Sequence, residues 1–427
     1  MIKKKVFLLI LLVIFILSVL PVFAENTENV VEIWHYWTAG REAQSINCLI
    51  DSFREKYPEI SIKDRAIPGS TAQLRQQLGV AFMGGNPPEI FQVTPGYNLK
   101  SFTDAGRLTP ITDVWNEIKG NEIFSEGITK IAVFDNEAWV VPLDIHTINT
   151  VWYNVKVFKK YNLEEPKTWE EFKHVCSVLK ENGLEPITAA GFWSVYALYP
   201  FLITTLGPEG YAALGQGKVS FTSEKRVKEA FELFKEMWID NLMENWTGYS
   251  WAEAARPLME GKVGMYFCMG DWIAPLLESE GMEPIKEFDF FPAPGTRNMI
   301  IGQVDALPLT KGSDAPDLAK TFLKFAASIE GQTAFNKYKG SVAANLETPS
   351  DFYGPIMSKI YHLQHKPGVQ FMPNLSFLMP PDFYTQFYTQ IEKYAVDPNN
   401  ETLDEVLNEL ERLRIEVSTE GKWVNWE

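Results

Sequence analysis

Between residues 30 and 93 the chain alternates between the two-residue period of a strand and the 3.6-residue period of a helix, and that alternation restricts its fold more than any single motif. Val30-Val31-Glu32-Ile33-Trp34 is β-branched enough for a strand and runs into His35-Tyr36-Trp37-Thr38-Ala39-Gly40. Ile46, Leu49, Ile50 and Phe53 then recur at i, i+3, i+4, i+7, which predicts a helix closed by Tyr57-Pro58. Ile60-Ser61-Ile62 alternates as the next strand. A helix over Gln73 to Met83 stops at Gly84-Gly85-Asn86-Pro87-Pro88, and Glu89-Ile90-Phe91-Gln92-Val93 reads as a buried strand. A β-α-β-α-β rhythm of this kind calls for a parallel, doubly wound sheet whose ligand-facing loops follow the strand ends.

A second region repeats the pattern. Trp139-Val140-Val141-Pro142 and Val151-Trp152-Tyr153 read as strands, and Thr168 with Glu171 is a capping box opening a helix that runs to Gly183. Val227, Ala230, Phe231, Phe234, Met237 and Trp238 form an amphipathic face opened by Ser223. Thr402 and Glu405 are expected to cap a last helix with Leu403, Val406, Leu407, Leu410 and Leu413 turned inward. The sequence has no repeat and no long Pro/Ser linker, so two lobes are expected, joined by short crossing strands rather than by a flexible tether.

Ahead of the first strand, Met1 to Lys5 carries three lysines, Val6 to Leu20 is apolar apart from Ser18, and Pro21-Val22-Phe23-Ala24 offers small residues to a signal peptidase. The pattern predicts a signal peptide over residues 1–24, cleaved after Ala24, since the apolar run is short for a membrane span of roughly 20 residues. The mature protein is then expected in the periplasm or at the cell exterior. Losing three lysines takes the formal charge from −16 to about −19, a field that repels nucleic acid and anionic membranes. Cys48, Cys176 and Cys268 are too few and too odd in number for a disulfide scaffold. Unpaired, buried thiols are expected, with one bridge between two of them as the alternative.

No Gly-x-Ser-x-Gly, His-Glu-x-x-His or Gly-x-Gly-x-x-Gly signature occurs, and Gly215-Gln216-Gly217-Lys218 lacks the hydroxyl residue of a phosphate loop. Of the five histidines only His362 and His365 form a close pair, a spacing more typical of a solvated face than of a metal site. No catalytic residue, metal or cofactor is therefore expected. Thirteen Trp, 16 Tyr and 28 Phe are more than a core of this size needs, and several sit beside Gly, Pro or acids. Tyr36-Trp37, Asp144-Ile145-His146, Phe192-Trp193, Ser250-Trp251 and Gly270-Asp271-Trp272 fall at loop positions, with Asp305 and Lys339 downstream. Flat rings stack on the C–H face of a sugar while acids and amines meet its hydroxyls, so together these clusters point to carbohydrate. A secreted glycoside hydrolase would use the same platforms with a carboxylate pair roughly 5–10 Å apart. A binder of amino acids or peptides would want an Arg clamp, for which only Arg41 and Arg256 stand near the clusters.

The chain also resembles the extracellular solute-binding proteins of sugar ABC transporters along nearly its whole length. The most specific stretch runs from Trp251-Ala-Glu-Ala-Ala-Arg-Pro-Leu-Met-Glu-Gly-Lys262 through Val263-Gly-Met-Tyr-Phe-Cys to Met269-Gly-Asp-Trp272. Gly84 to Val93 resembles the family's helix-to-strand turn. Pro142-Leu143-Asp144-Ile145-His146 is similar to its first lobe crossing, and Glu330 through Ala344 to its last. Glu32 to Glu42 and Phe91-Gln-Val are most similar to the glucose- and galactose-type members. The resemblance implies a two-lobed α/β periplasmic binding protein of type II, each lobe a doubly wound sheet, with crossings near Pro142 to Thr147, Met299 to Asp305 and Gly331 to Lys339. One lobe would hold 25–143 and 304–338, the other 144–303 and 339–427. It also implies a monomer that binds a hexose or small oligosaccharide by lobe closure and delivers it to the membrane permease subunits of an ABC transporter, without catalysis. Carried over by position, Tyr36 and Trp37 lie at the sugar face and Glu42 at its hydroxyls. Thr94 stands where relatives have His, and Asp144, His146, Trp193, Trp251, Asp271, Trp272, Asp305 and Lys339 lie in or beside the cleft. Trp37 and Trp272 are expected to stack on sugar rings.

Overall fold

The computed structural model describes residues 29–69, 71–424 and 426, so the expected signal peptide lies outside the described residues. The early strands are β1 (Val30–His35), β2 (Ser61–Ala66), β3 (Ile90–Phe91), β4 (Leu108–Thr109), the hairpin β5 (Val133–Phe134) with β6 (Glu137–Ala138), and β7 (Val140–Pro142). After these come β8 (Asp144–Thr147), β9 (Thr150–Asn154), β10 (Glu185–Thr188), β11 (Val263–Phe267) and β12 (Phe288–Pro292). The chain then adds β13 (Met299–Gln303), β14 (Ala306–Thr310), β15 (Val342–Ala343) and β16 (Gln370–Pro373).

These strands build three principal sheets. The first runs β2-β1-β3-β14-β4, with β7 also on β14. Its β1 pairs in parallel with β2 and β3, as the opening alternation requires, but β14 runs antiparallel to β3, β4 and β7. The expected parallel sheet is therefore mixed, because β14 arrives from a crossing segment and not from a helix on the sheet face. The second sheet runs β10-β11-β9-β12, and only β10 and β11 are parallel. A third, β15-β8-β13-β16, lies in the segments that link the other two. Leu143 alone separates β7 in the first sheet from β8 in the third. Val304 and Asp305 alone separate β13 from β14.

Packing follows the periodicities. The helix Gly40–Lys56 buries Ile46, Leu49, Ile50 and Phe53 against a core with Val31, Ile33, Phe91 and Phe322. The helix Trp169–Glu181 starts on the full Thr168–Glu171 capping box and buries Trp169, Phe172, Val175, Cys176 and Leu179 in a second core. Two caps fall elsewhere than expected. Glu224, not Ser223, accepts the first-turn N–H of the helix Lys225–Met237, with Arg226 N donating to Glu224 Oε1. Asn399, not Thr402, caps the helix Asn400–Thr419, and the Thr402 hydroxyl donates to Asp397 instead. Beyond that helix the tail turns back: Trp426 is buried edge-on against Tyr97 at 5.4 Å and Phe134 at 5.6 Å. All three cysteines are free thiols; Cys176 and Cys268 are buried, Cys48 is half-buried, and burial pushes the Cys176 thiol up to about 12.

Candidate functional site

The three sheets meet at a buried network of charges. Asp144 opens β8 with its carboxylate fully enclosed. Its Oδ1 accepts from the Asp305 backbone N at 2.9 Å and its Oδ2 from Ser341 Oγ at 2.8 Å. Two residues on, His146 places Nδ1 2.6 Å from Asp271 Oδ1, while Asp271 Oδ2 accepts from Thr147 N at 2.8 Å. Asp271 follows β11 and Asp305 precedes β14, so each carboxylate is delivered at the end of a strand from a different sheet. Asp305 Oδ1 accepts from Gln92 Nε2 at 2.7 Å. Lys339, the last residue of the helix Ile329–Lys339, sends Nζ to within 3.1 Å of Glu42 Oε1, 3.3 Å of Asp305 Oδ2 and 3.3 Å of His146 Nε2.

Burial and charge oppose each other here, and charge decides the cations. Burial works against the Lys339 ammonium, but Asp305, Glu42 and Asp144 outweigh it and hold the group protonated well above its ordinary range. For His146 burial again favours the neutral ring, and the Asp271 carboxylate reverses that, raising it. Asp144 is pushed up to about 6 by burial and then by Asp305, against the pull of His146 and Lys339.

Beside the charges stands an aromatic wall. Trp272 is half-buried, its ring edge-on to His146 at 5.5 Å and 5.8 Å from the half-buried Trp193. Tyr196, one helical turn after Trp193, continues the wall at 5.3 Å from it and 6.5 Å from Trp272. The turn is built for that indole: Gly270 has φ 82°, and a Cβ there would lie 2.4 Å from the Trp272 ring. Tyr36 is half-buried, and its hydroxyl is raised by burial and by Asp305.

Three expected site residues depart from this picture. Trp37 is only 1% exposed, stacked on His35 at 5.3 Å and edge-on to Phe335 at 5.0 Å. Phe335 belongs to the first core and Lys339 Nζ lies 5.5 Å from the ring, so Trp37 stands buried beside the charges and not as the open stacking platform expected. Trp251 packs on a third apolar cluster with Tyr266, whose hydroxyl donates to its carbonyl at 3.0 Å. Thr94 is buried and accepts from Asn98 Nδ2 at 2.8 Å. Asp144-Ile145-His146 also proves to be a strand and not a loop, held between β13 and β15.

Sequence reasoning missed Gln92, Ser341 and Tyr196 as partners. Gln92 and Tyr196 carried a usable signal, one directly after a buried strand and the other three residues after Trp193; Ser341 carried none. Among the described residues Asp144, His146 and Asp305 could together face a cation, with ligand atoms within 4.8 Å of one another. The Lys339 ammonium already stands 3.3 Å from two of them, so the chain supplies its own positive charge there. His362 and His365 form no such group: His365 lies against Tyr361, with Nδ1 2.9 Å from its carbonyl and the rings stacked at 3.8 Å.

Residues 39–333, more than half of the chain, match the family described as bacterial extracellular solute-binding protein. An uncharacterised ABC transporter extracellular-binding protein of Pyrococcus horikoshii is 28% identical over 393 residues, 90% of this chain and 87% of its own. A probable sugar-binding periplasmic protein of Rhizobium meliloti is 28% identical over 339 residues, 75% of this chain and 78% of its own. Among solved structures, the bacterial solute receptor AcbH, reported to prefer β-D-galactopyranose exclusively, superposes with a TM-score of 0.79 at 22% identity. That superposition covers 91% of this chain and 99% of AcbH, and it shows the two-lobed α/β fold. No helix among the described residues is long and apolar enough to cross a membrane.

Proposed function

This chain belongs to the bacterial extracellular solute-binding proteins, and on that premise we propose that it captures a hexose or small oligosaccharide outside the cytoplasm. The protein then delivers its ligand as a monomer to the membrane permease of an ABC importer and catalyses no reaction. The observation that carries the reading is one constellation assembled from all three sheets. Half-buried Trp272, Trp193 and Tyr196 form a wall for the apolar face of a sugar ring. Next to it Glu42, Asp305, His146 and Lys339 supply acceptors and donors for hydroxyls. The relative named as sugar-binding supports the choice of ligand class. In this reading one lobe is 25–143 with 304–338 and the other 144–303 with 339–427; the first and second sheets each draw their strands from one of these sets.

A ligand held between lobes touches both only when they are shut, and so favours the shut form. A sugar panel followed by thermal shift and calorimetry tests the proposal. A sugar present at about a hundred times its Kd stabilises the folded state by about 2.7 kcal/mol. Trp272→Ala should weaken that sugar by at least tenfold and leave the fold intact. Scattering should give a smaller radius of gyration with sugar than without. A panel in which no sugar shifts the midpoint, or sustained release of new reducing ends from oligosaccharides, would overturn it.

A further inference from the structure

Among the described residues the charges at the site are unequal in number, and each cation there is paired. Four carboxylates, on Glu42, Asp144, Asp271 and Asp305, face two basic groups, Lys339 and His146. Lys339 is shared between Glu42 at 3.1 Å and Asp305 at 3.3 Å, and His146 is held between Asp271 at 2.6 Å and Asp144 at 3.5 Å. Two arginines stand nearby. Arg41 pairs with Glu278 at 2.9 Å. Arg75 donates to Asn98 at 2.7 Å beside Thr94, in a crevice with only about 10 Å³ of free volume.

An anionic group entering this site would leave its water for a region whose positive charge is already spent and whose surplus is negative. Low polarisability around buried groups makes that surplus felt more strongly than at the surface. A hydroxyl meets the opposite situation, because each carboxylate oxygen has a second lone pair to offer it. We infer that the site takes uncharged sugars and rejects sugars bearing a carboxylate or a phosphate. The inference rests on the sugar-binding reading and sharpens it to a ligand class.

Isosteric pairs give the test. For whichever neutral sugar binds, calorimetry near neutral pH compares the uronate with its uronamide, and the aldonate with its aldonamide. Each pair has the same shape and differs in charge. The amide should bind at least about a hundredfold more tightly than the matching acid, in line with the cost of like-charge contacts. An acid that binds as tightly as its amide would overturn the inference while leaving sugar binding intact. If no neutral sugar bound at all, the underlying reading would fall first. Acetate and inorganic phosphate serve where substituents are refused for their size. Neither should raise the thermal midpoint of the ligand-free protein at tens of millimolar, and a saturable rise with either would also overturn the inference.

Discussion

Lys339→Met removes the one ammonium in the network and keeps most of the side chain's volume. Lys339 is 4% exposed, its amine 3.1 Å from Glu42 and 3.3 Å from Asp305, with Asp144 close enough to raise it. Removing one partner from a buried pair leaves the other charge uncompensated and costs about 3–5 kcal/mol. The pH dependence separates this cost from lost packing. Without the ammonium the carboxylates hold protons to higher pH in the folded state than in the unfolded state. The folded variant therefore binds more protons in that window, and its stability falls as pH rises. Urea denaturation of native and variant protein should show a gap of about 3–5 kcal/mol near pH 7.5 that narrows toward about pH 5. Adding Asp305→Asn to Lys339→Met should recover part of the loss, since both members of one pair are then uncharged. A gap that is constant with pH, and unrelieved in the double variant, would refute the electrostatic account.

Asp144, raised to about 6, stabilises the fold below its ordinary range and loses that contribution as pH rises through about 6; His146, also raised, acts in the same direction. The native thermal midpoint should therefore climb from about pH 7 to about pH 5, and Asp144→Asn should flatten that slope. Arg41 and Glu278 join the helix after β1 to the helix after β11 at 2.9 Å, so Arg41→Glu should weaken sugar binding by up to about fivefold and Glu278→Arg should restore it, both effects shrinking with added salt. Gly270→Ala sets a Cβ 2.4 Å from the Trp272 ring at φ 82°; it should cost about 1–2 kcal/mol in stability and weaken sugar binding as the indole leaves His146, and an unchanged Kd would place the ligand away from Trp272.

Much of this was legible because it was local. Period and β-branching gave the strands and helices around β1, and the Thr168–Glu171 box gave a helix start, since each depends on neighbours a few residues away. The acids, His146 and Lys339 could be picked out as polar groups beside Gly and aromatic residues at strand ends. The fate of Trp37 was not legible. Its ring is buried by Phe335, from a helix distant in sequence, and a polar turn after a strand looks the same whether or not such a helix covers it. Asp144-Ile145-His146-Thr147 escaped for a related reason. Three of its four residues are polar, which suits a loop, and it becomes a strand only because β13 and β15 bring the partners. The two misplaced caps show local competition: Asn399 and Glu224 reached the first-turn N–H groups, while the Thr402 hydroxyl is spent on Asp397.

Asp144 links the charge network to the way the lobes are joined. Asp144 itself opens β8, its Oδ1 holds the backbone N of Asp305 between β13 and β14, and its Oδ2 holds Ser341 just ahead of β15. Asn336 and Gln332 add buried bonds to the carbonyls of Leu143 and Pro142, fastening the helix Ile329–Lys339 to the same place. A rotation of one lobe against the other that broke these bonds would strand buried donors and acceptors, at about 1–3 kcal/mol for each. The low-cost rotation leaves them intact and places its axis through Asp144. Asp271, bonded to His146 on β8, and Glu42, bonded to Lys339, lie close to that axis and move little for a given turn.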